Sequence, residues 1–485
     1  MVSRSSSHQD PQECEMTRNQ CGLVETCFEE GQYESGIAVL EQLRSENSKP
    51  PVSLVRQLFY IALYPPPPSL DHVEERDPNP ASPSKGSPTK QKHQAPKMTF
   101  TPSVNASEAA QRLLLSFVRT NTPTSLFQAL PQPRRSNELS FEGDDYDSVV
   151  AKESLCIKDA KHCWAILKEG FVPRIKIFQP SLLSGKKKRG KLIIDTEEYV
   201  EENRSNLVLA PVAEYAWLVL QWLVELFHRD ESLASGDVKH SPLLLLQIPP
   251  PRSGTGLRWE VDAPLDIVFY CTSQGQPQRR QLGFELMALL IGICLTAEFD
   301  FNMFLEQVTS RLHSASPEIV QTFMSGFHLS HSAQLFKLAL CRKFLSDESG
   351  GRNLSSRRPK PQARAVRAAR GIARAGEENL SSSSANDLSA SFSASKISAP
   401  PTGDIVHLLT GSNGRTSPAI LTVKKELLIS YAYLQQIAER RDVEWQQITT
   451  DGRLEDQVNL VFGGESYAQQ DKDALISLVR VCAMN

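Results

Sequence analysis

The stretch 17–68, TRNQCGLVETCFEEGQYESGIAVLEQLRSENSKPPVSLVRQLFYIALYPPPP, carries the pattern that decides the fold. Leu23, Val24, Cys27 and Phe28 recur at helical spacing until Gly31 breaks the run. Ile37, Leu40 and Leu43 resume it, and Pro50 and Pro51 end it. Leu54, Leu58, Ile61 and Ala62 make a third apolar stripe, stopped by Pro65 to Pro68. Glycine and proline stand where short helices have to turn, because proline cannot continue a helix and glycine tolerates the conformations that end one. Residues 17–64 therefore read as helix, turn, helix, turn, helix.

Outward from this segment, helical periodicity alternates with stretches too polar to form a core. Residues 1–16 read as a disordered tail and 65–105 as a disordered Pro/Ser/Lys linker. Residues 106–130 read as one helix with Leu113, Leu114, Phe117 and Val118 on one face, and 131–148 as an acidic loop around Asp144, Asp145 and Asp147. A main helical body spans 149–345, with helices expected at 159–169, 210–228, 281–297, 302–313, 317–327 and 333–344. Residues 208–227 are apolar almost all round except for a stripe of Glu214, Gln221 and Glu225, the mark of a central, buried helix. The runs 243–248 and 265–270 fit either strands or helix starts. Residues 174–178 and 191–195 suit a short hairpin around a basic tip. A disordered Ser/Arg-rich linker is expected over 346–403. A C-terminal helical block follows over 404–485, clearest at 421–439 and 471–482, and is expected to dock on the main body. The fold class is mainly α: an irregular or repeat-like helical scaffold with a small β-hairpin and long disordered linkers.

Composition narrows the function. Of 485 residues 40% are hydrophobic, and the clustering of 31 prolines leaves about 300 residues to order. A net charge of −3 is not that of a polyelectrolyte partner for nucleic acid, although local basic patches remain available. Residues 1–19 are polar without an apolar core, so no secretory signal is expected. The most apolar stretches, 212–227 and 282–297, are interrupted by Glu214, Gln221, Glu225 and Glu285, too short and too charged for a bilayer, and no membrane partner is expected. The nine cysteines form no CxxC pair, which fits reduced thiols in the cytosol or nucleus. Cys14, Cys21 and Cys27 have no second pair of ligands nearby, so zinc is not expected.

Motifs that carry chemistry are missing from the sequence. There is no GxGxxG after a strand, no GxxxxGK[ST], no GxSxG and no HExxH. Gly411-Ser412-Asn413-Gly414 lacks the lysine and the preceding strand of a phosphate loop and reads as a turn. His328 and His331 are spaced for one helix face but lack a third ligand, so packing or surface positions account for them. The pairs Glu197-Glu198 and Glu201-Glu202 lie among Lys and Arg, where burial would not tune them for acid–base work. The expectation is a non-enzyme with no catalytic residue, cofactor or metal.

Charged and modifiable clusters say more. Arg364, Arg367, Arg370 and Arg374 would share one face of a helix, in a segment with eight basic residues and no acid between 352 and 374. Nuclear import, a salt-sensitive phosphate-backbone contact and a plain solvated linker all fit. Lys186, Lys187, Lys188 and Arg189 form a second basic knot with the same readings. Ser82-Pro83-Ser84-Lys85 and Ser87-Pro88-Thr89-Lys90 suit proline-directed kinases, which makes Ser82 and Ser87 candidate phosphorylation sites. Leu192-Ile193-Ile194 followed by Asp195, Glu197 and Glu198 has the pattern that adds a strand to SUMO; a core strand leading into a helix N-terminus explains it equally.

Residues 23–33 (LVETCFEEGQY), then Ile37, Leu40 and Leu43, then Pro50-Pro51-Val52 and the apolar helix after them, resemble the helical region of the SMC five/six complex localisation factors. The resemblance covers about 45 residues, and its elements are shared with generic helical repeats. It implies a nuclear, mostly helical scaffold that brings an SMC-type chromosome-maintenance complex to DNA. The BRCT modules and ankyrin repeats of that family have no counterpart here, so a phosphopeptide- or histone-reading role is not carried over and a helical docking platform remains. The expected function is a nuclear adaptor in genome maintenance and the DNA damage response, shared in part with the cytoplasm. Its partner would be another helical protein, such as a subunit of an SMC-type complex, with weak nucleic-acid contact at most. Alternatives are a helical subunit of a transcription- or RNA-associated complex using the basic clusters, and a cytoplasmic trafficking or cytoskeletal scaffold. Trp217, Trp222, Phe299 and Phe301 are large enough to anchor an interface, although the core suits the two tryptophans better.

Overall fold

The computed structural model describes residues 13–67, 101–131, 148–174, 209–234, 240–248, 261–296, 299–349, 399–411, 417–463 and 468–484. Among them the chain is mainly α, with eighteen α-helices, two short 3₁₀ turns and one two-stranded parallel ladder. The helices gather into two compact units, residues 1–235 with 241–270 and residues 236–240 with 271–485.

Unit 1 begins with the decisive stretch. Thr17 and Gln20 form a reciprocal capping box that starts α1 (Arg18–Glu29). Gly31, at φ 74°, turns the chain into α2 (Tyr33–Leu43). The Phe28 ring lies directly on Gly36, where a Cβ would overlap it, so the two helices approach closely. Pro51 precedes α3 (Val52–Ala62), whose Leu54, Val55, Leu58, Phe59, Ile61 and Ala62 are all buried. Helix α4 (Val104–Thr120) starts at an N-cap, Ser103, whose Oγ accepts from Ala106 N at 3.0 Å, and it packs against α2 and α3. After it come α5 (Pro123–Phe127), α6 (Val149–Asp159), α7 (Trp217–Leu233), α8 (Pro242–Leu246) and α9 (Asp262–Thr272). The centre of the unit is α7, packed on α4, α5 and α8; Trp222 is fully buried with its ring edge-on to Phe59 at 4.8 Å.

Buried amides tie distant parts of this unit together. Gln111 Nε2 donates to Ala62 O and Tyr215 O at 2.9 and 2.8 Å. Asn121 Nδ2 donates to Ser48 O at 2.8 Å, and the Glu13 carboxylate accepts from Asn121 Nδ2, Thr122 N and Thr122 Oγ1. The Arg229 guanidinium donates to Val118 O and Asn121 O, satisfying carbonyls at the end of α4. Gln247 accepts from Cys163 N at 3.0 Å and donates to Pro131 O at 2.8 Å.

Unit 2 contains α10 (Pro277–Cys294), α11 (Phe301–Ser314), α12 (Pro317–Ser325), α13 (His331–Ser349), α14 (Thr402–Thr410), α15 (Pro418–Ile437), α16 (Val443–Thr450), α17 (Arg453–Val461) and α18 (Gln469–Met484). Ser316-Pro317 and Ser417-Pro418 use one device twice: the serine caps the helix, and proline takes the first position, where its missing N–H costs nothing. Helix α15 is the hub, packed on α12, α13, α14 and α18. Lys337 of α13 and Glu426 of α15 form a buried ion pair at 2.5 Å. Lys424 Nζ donates to Leu409 O at 2.6 Å and so closes the end of α14. Asp442 accepts from Thr402 N and Thr402 Oγ1 at 3.0 and 2.6 Å, which joins the start of α14 to the start of α16.

Several boundaries differ from the sequence reading. The single helix expected over 106–130 is α4 and α5, broken at Asn121-Thr122, because Pro123 cannot donate to an α4 carbonyl and instead opens α5. No α-helix fills 159–169: α6, which the sequence reading did not mark, ends at Asp159, and a 3₁₀ turn over Cys163–Leu167, capped by His162, follows. The helix expected at 210–228 starts later, at Trp217 after a 3₁₀ turn, and ends later, at Leu233. Residues 243–246 of the first run and all of 265–270 are helical, in α8 and α9. Helix α13 extends into the expected linker as far as Ser349, and α14 begins within the linker's last residues.

The expected hairpin falls, apart from Arg174, outside the described residues. The β element that is described is the parallel pairing of β1 (Cys14–Glu15) with β2 (Ser48–Lys49). The boundary between the two units lies inside 149–345, the stretch whose uniform helical patterning reads as one body. The C-terminal block does dock as expected, through α15 on α12 and α13.

Candidate functional site

The site is a groove in unit 2, built from a helix that is apolar on more than one face. On α10, Phe284, Met287, Ala288 and Ile291 follow the i, i+3, i+4, i+7 spacing of a single stripe. Opposite it stand Phe323 of α12, Gly326, Phe327 and His328 of the following loop, and Ala333 in the first turn of α13. These residues line a shallow depression with about 10 Å³ of free room, enough for about one water molecule. Met287, Ile291 and Phe323 are buried, whereas Phe284, Ala288 and Phe327 are half-buried and available at the mouth.

Local contacts hold the loop in place. A Cβ on Gly326 would overlap the Phe284 ring, so glycine is what lets that ring lie across the loop backbone. Phe327 meets Phe323 edge-on at 5.1 Å and Phe336 face-on at 6.1 Å. Gln334 Nε2 donates to His328 O at 2.9 Å, and Tyr433 Oη donates to Leu329 O at 2.5 Å. Leu329 itself is 69% exposed beside the groove. Lys337 Nζ lies 6.0 Å from the centre of the Phe327 ring, with its charge compensated by Glu426.

Charge gathers at one end. Arg279 and Arg280 belong to the first turn of α10, and Arg280 donates to Gln274 O and Gly275 O at 3.1 and 3.2 Å. The acid on the same helix, Glu285, accepts from Gln281 Nε2 at 3.2 Å. Chemically the groove offers apolar area and ring faces to an apolar side chain or helix ridge. Among the described residues there is no group of three His, Cys, Asp or Glu arranged to hold a metal ion, and no helix long and apolar enough to cross a membrane.

The residues singled out from the sequence fall elsewhere. Ser82, Ser87, Lys186, Lys187, Lys188, Arg189, Leu192, Ile193, Ile194, Arg364, Arg367, Arg370 and Arg374 all lie outside the described residues. His328 precedes α13 and His331 opens it, so they do not share a helix face. Trp217, Trp222, Phe299 and Phe301 are buried, and Trp217 stacks on Tyr270 at 5.9 Å. The groove residues carry a helical signal in the sequence but none for which face stays open. No family model, curated protein or solved structure matches this chain.

Proposed function

We propose that this chain is a non-enzymatic nuclear adaptor in genome maintenance, one that recruits or assembles an SMC-type complex by burying a partner's apolar ridge between its helices. The observation that supports it is the open groove of α10, α12 and α13, where half-buried Phe284 and Phe327 frame an apolar floor. The chromosome-maintenance setting rests on the resemblance of 23–33 and the helices after it to the localisation factors.

The test is affinity purification from nuclei with the wild-type chain and with Ala288→Glu, which sets a carboxylate in the groove. Recovery of chromosome-maintenance subunits by the wild type and their loss from the variant is the expected result. Recovery of none, or equal recovery by both, overturns the reading. Direct nucleic-acid contact through Arg364, Arg367, Arg370 and Arg374 is the competing reading. It requires salt-dependent DNA or RNA binding that is lost when the four arginines are replaced.

A further inference from the structure

In unit 1 the chain makes a recognition contact with itself. Residues 13–15 run parallel to β2, with Cys14 beside Ser48 and Glu15 beside Lys49, and Cys14 N donates to Asn47 O at 2.8 Å. The Glu13 carboxylate enters the Asn121-Thr122 corner after α4, where it accepts from Asn121 Nδ2, Thr122 N and Thr122 Oγ1 at 3.2, 2.7 and 2.9 Å. Cys14 and Glu15 are exposed, so residues 13–15 attach by backbone pairing and one carboxylate rather than by apolar burial. The receiving side is held by bonds of its own. Asn121, fully buried, also donates to Ser48 O at 2.8 Å and accepts from Thr120 Oγ1 at 3.0 Å. Thr122 Oγ1 lies 2.9 Å from Ser125 Oγ, and the Arg229 guanidinium donates to Asn121 O. Burial lowers the Arg229 pKa while the charges of Glu13 and Glu225 oppose it, so a carboxylate suits this corner.

We infer that this corner and β2 form a binding site for an extended acidic segment of a partner protein, which displaces residues 13–15 and puts its own glutamate on Asn121 and Thr122. The chain's own strap shows the ligand chemistry, a parallel strand pairing and one carboxylate. The receiving groups stand in place without it, so a partner meets a preorganised site. Residues 13–15 then act as an intramolecular competitor that sets how strongly a partner must bind. The site is built from unit 1 alone.

Fluorescence anisotropy on the full chain tests this with a labelled peptide of residues 11–17 carrying Cys14→Ser, and with the same peptide carrying Glu13→Gln as well. The wild-type chain, whose site is filled, is expected to bind the first peptide about tenfold more weakly than the Glu13→Ala chain, whose strap has lost its carboxylate. In the Glu13→Ala chain, Thr122→Val removes one donor and should weaken that peptide about tenfold, and the Glu13→Gln peptide should bind about tenfold more weakly than its parent. A Glu13→Gln chain replaces Glu13→Ala where circular dichroism shows the latter unfolded. Equal binding of the two peptides overturns the carboxylate assignment. Equal binding to the wild-type and Glu13→Ala chains overturns the displacement, and no binding of either peptide to a folded Glu13 variant overturns the site. A wild-type dimer that the free peptide dissolves overturns the partner assignment in favour of a second copy of this chain.

Discussion

Removing Lys337 while keeping Glu426 should unfold unit 2 far more easily than removing both. The two charges lie 2.5 Å apart, with side chains 6% and 13% exposed, between the two most closely associated helices of the unit, α13 and α15. At an effective dielectric of about 20 their attraction is about 6–7 kcal/mol. Most of that offsets the cost of taking both charges out of water, so the pair adds little net stability over an apolar pair. Losing one partner is different, because the remaining charge keeps its desolvation cost without its compensation, a loss of about 3–5 kcal/mol.

Lys337→Met and Glu426→Leu should therefore each cost about 3–5 kcal/mol, and the double variant should return to within about 1–2 kcal/mol of the wild type. Trp445 supplies the assay. It is the only tryptophan beyond residue 270 and is buried edge-on to Tyr431 at 5.1 Å, so the emission that a parallel Trp445→Phe series lacks follows unit 2 in urea. With a slope of about 2 kcal/mol per molar urea, each single variant should lower the midpoint by about 2 M. Single variants that cost under about 1 kcal/mol would show that solvent compensates the charges. A double variant that costs the sum of the two would assign the loss to packing.

Three further outcomes follow from other residues. Asn121→Ala strips Ser48 O and the Glu13 carboxylate of a donor and should cost unit 1 about 2 kcal/mol, with faster amide exchange over 45–49; unchanged exchange there would deny the tie its role. The Asp442 carboxyl is held below its ordinary range, first by the Thr402 hydroxyl and then by the Thr402 and Glu444 N–H groups. A depressed carboxylate stabilises the fold above its unfolded pKa of about 3.9 and loses that contribution as pH falls through the folded value. Unit 2 of the wild type should thus lose stability below about pH 4 more steeply than Asp442→Asn, and parallel pH profiles would count against the linkage. In a thiol-reagent titration of the native chain Cys14, which is exposed, should react first. Cys163, Cys271, Cys294 and Cys341 should wait for unfolding, Cys341 being fully buried with its thiol pushed up to about 12; their prompt labelling would contradict the packing.

The helices were legible where local signals agree with the core. Gly31 and the Pro50-Pro51 pair marked the turns of the first three helices, and the start of α12 was placed at residue 317, where it lies. Legibility failed where a distant partner decides. The N–H of Cys163 bonds to Gln247, eighty-four residues away, and a 3₁₀ turn replaces the helix that periodicity favours there. The 243–248 and 265–270 runs are too short for periodicity to separate strand from helix, and packing settles them. The groove stayed hidden for a related reason. From Gly283 to Cys294 the pattern of α10 is apolar apart from Glu285, so its sequence says that the helix is buried without saying which side chains stay half-exposed, as Phe284 and Ala288 do.

The bonds from Glu13 to Thr122, from Arg229 to Asn121 and from Gln247 to Pro131 span 109, 108 and 116 residues of chain. On a ribosome the first three helices are made long before Trp222, whose indole packs against Phe59 of the third. At about 5–20 residues per second the 160 residues from Ala62 to Trp222 take roughly 8–32 s. Through all of it Phe59 lacks the indole it will rest against, so the nascent chain displays a greasy surface that chaperones are built to shield.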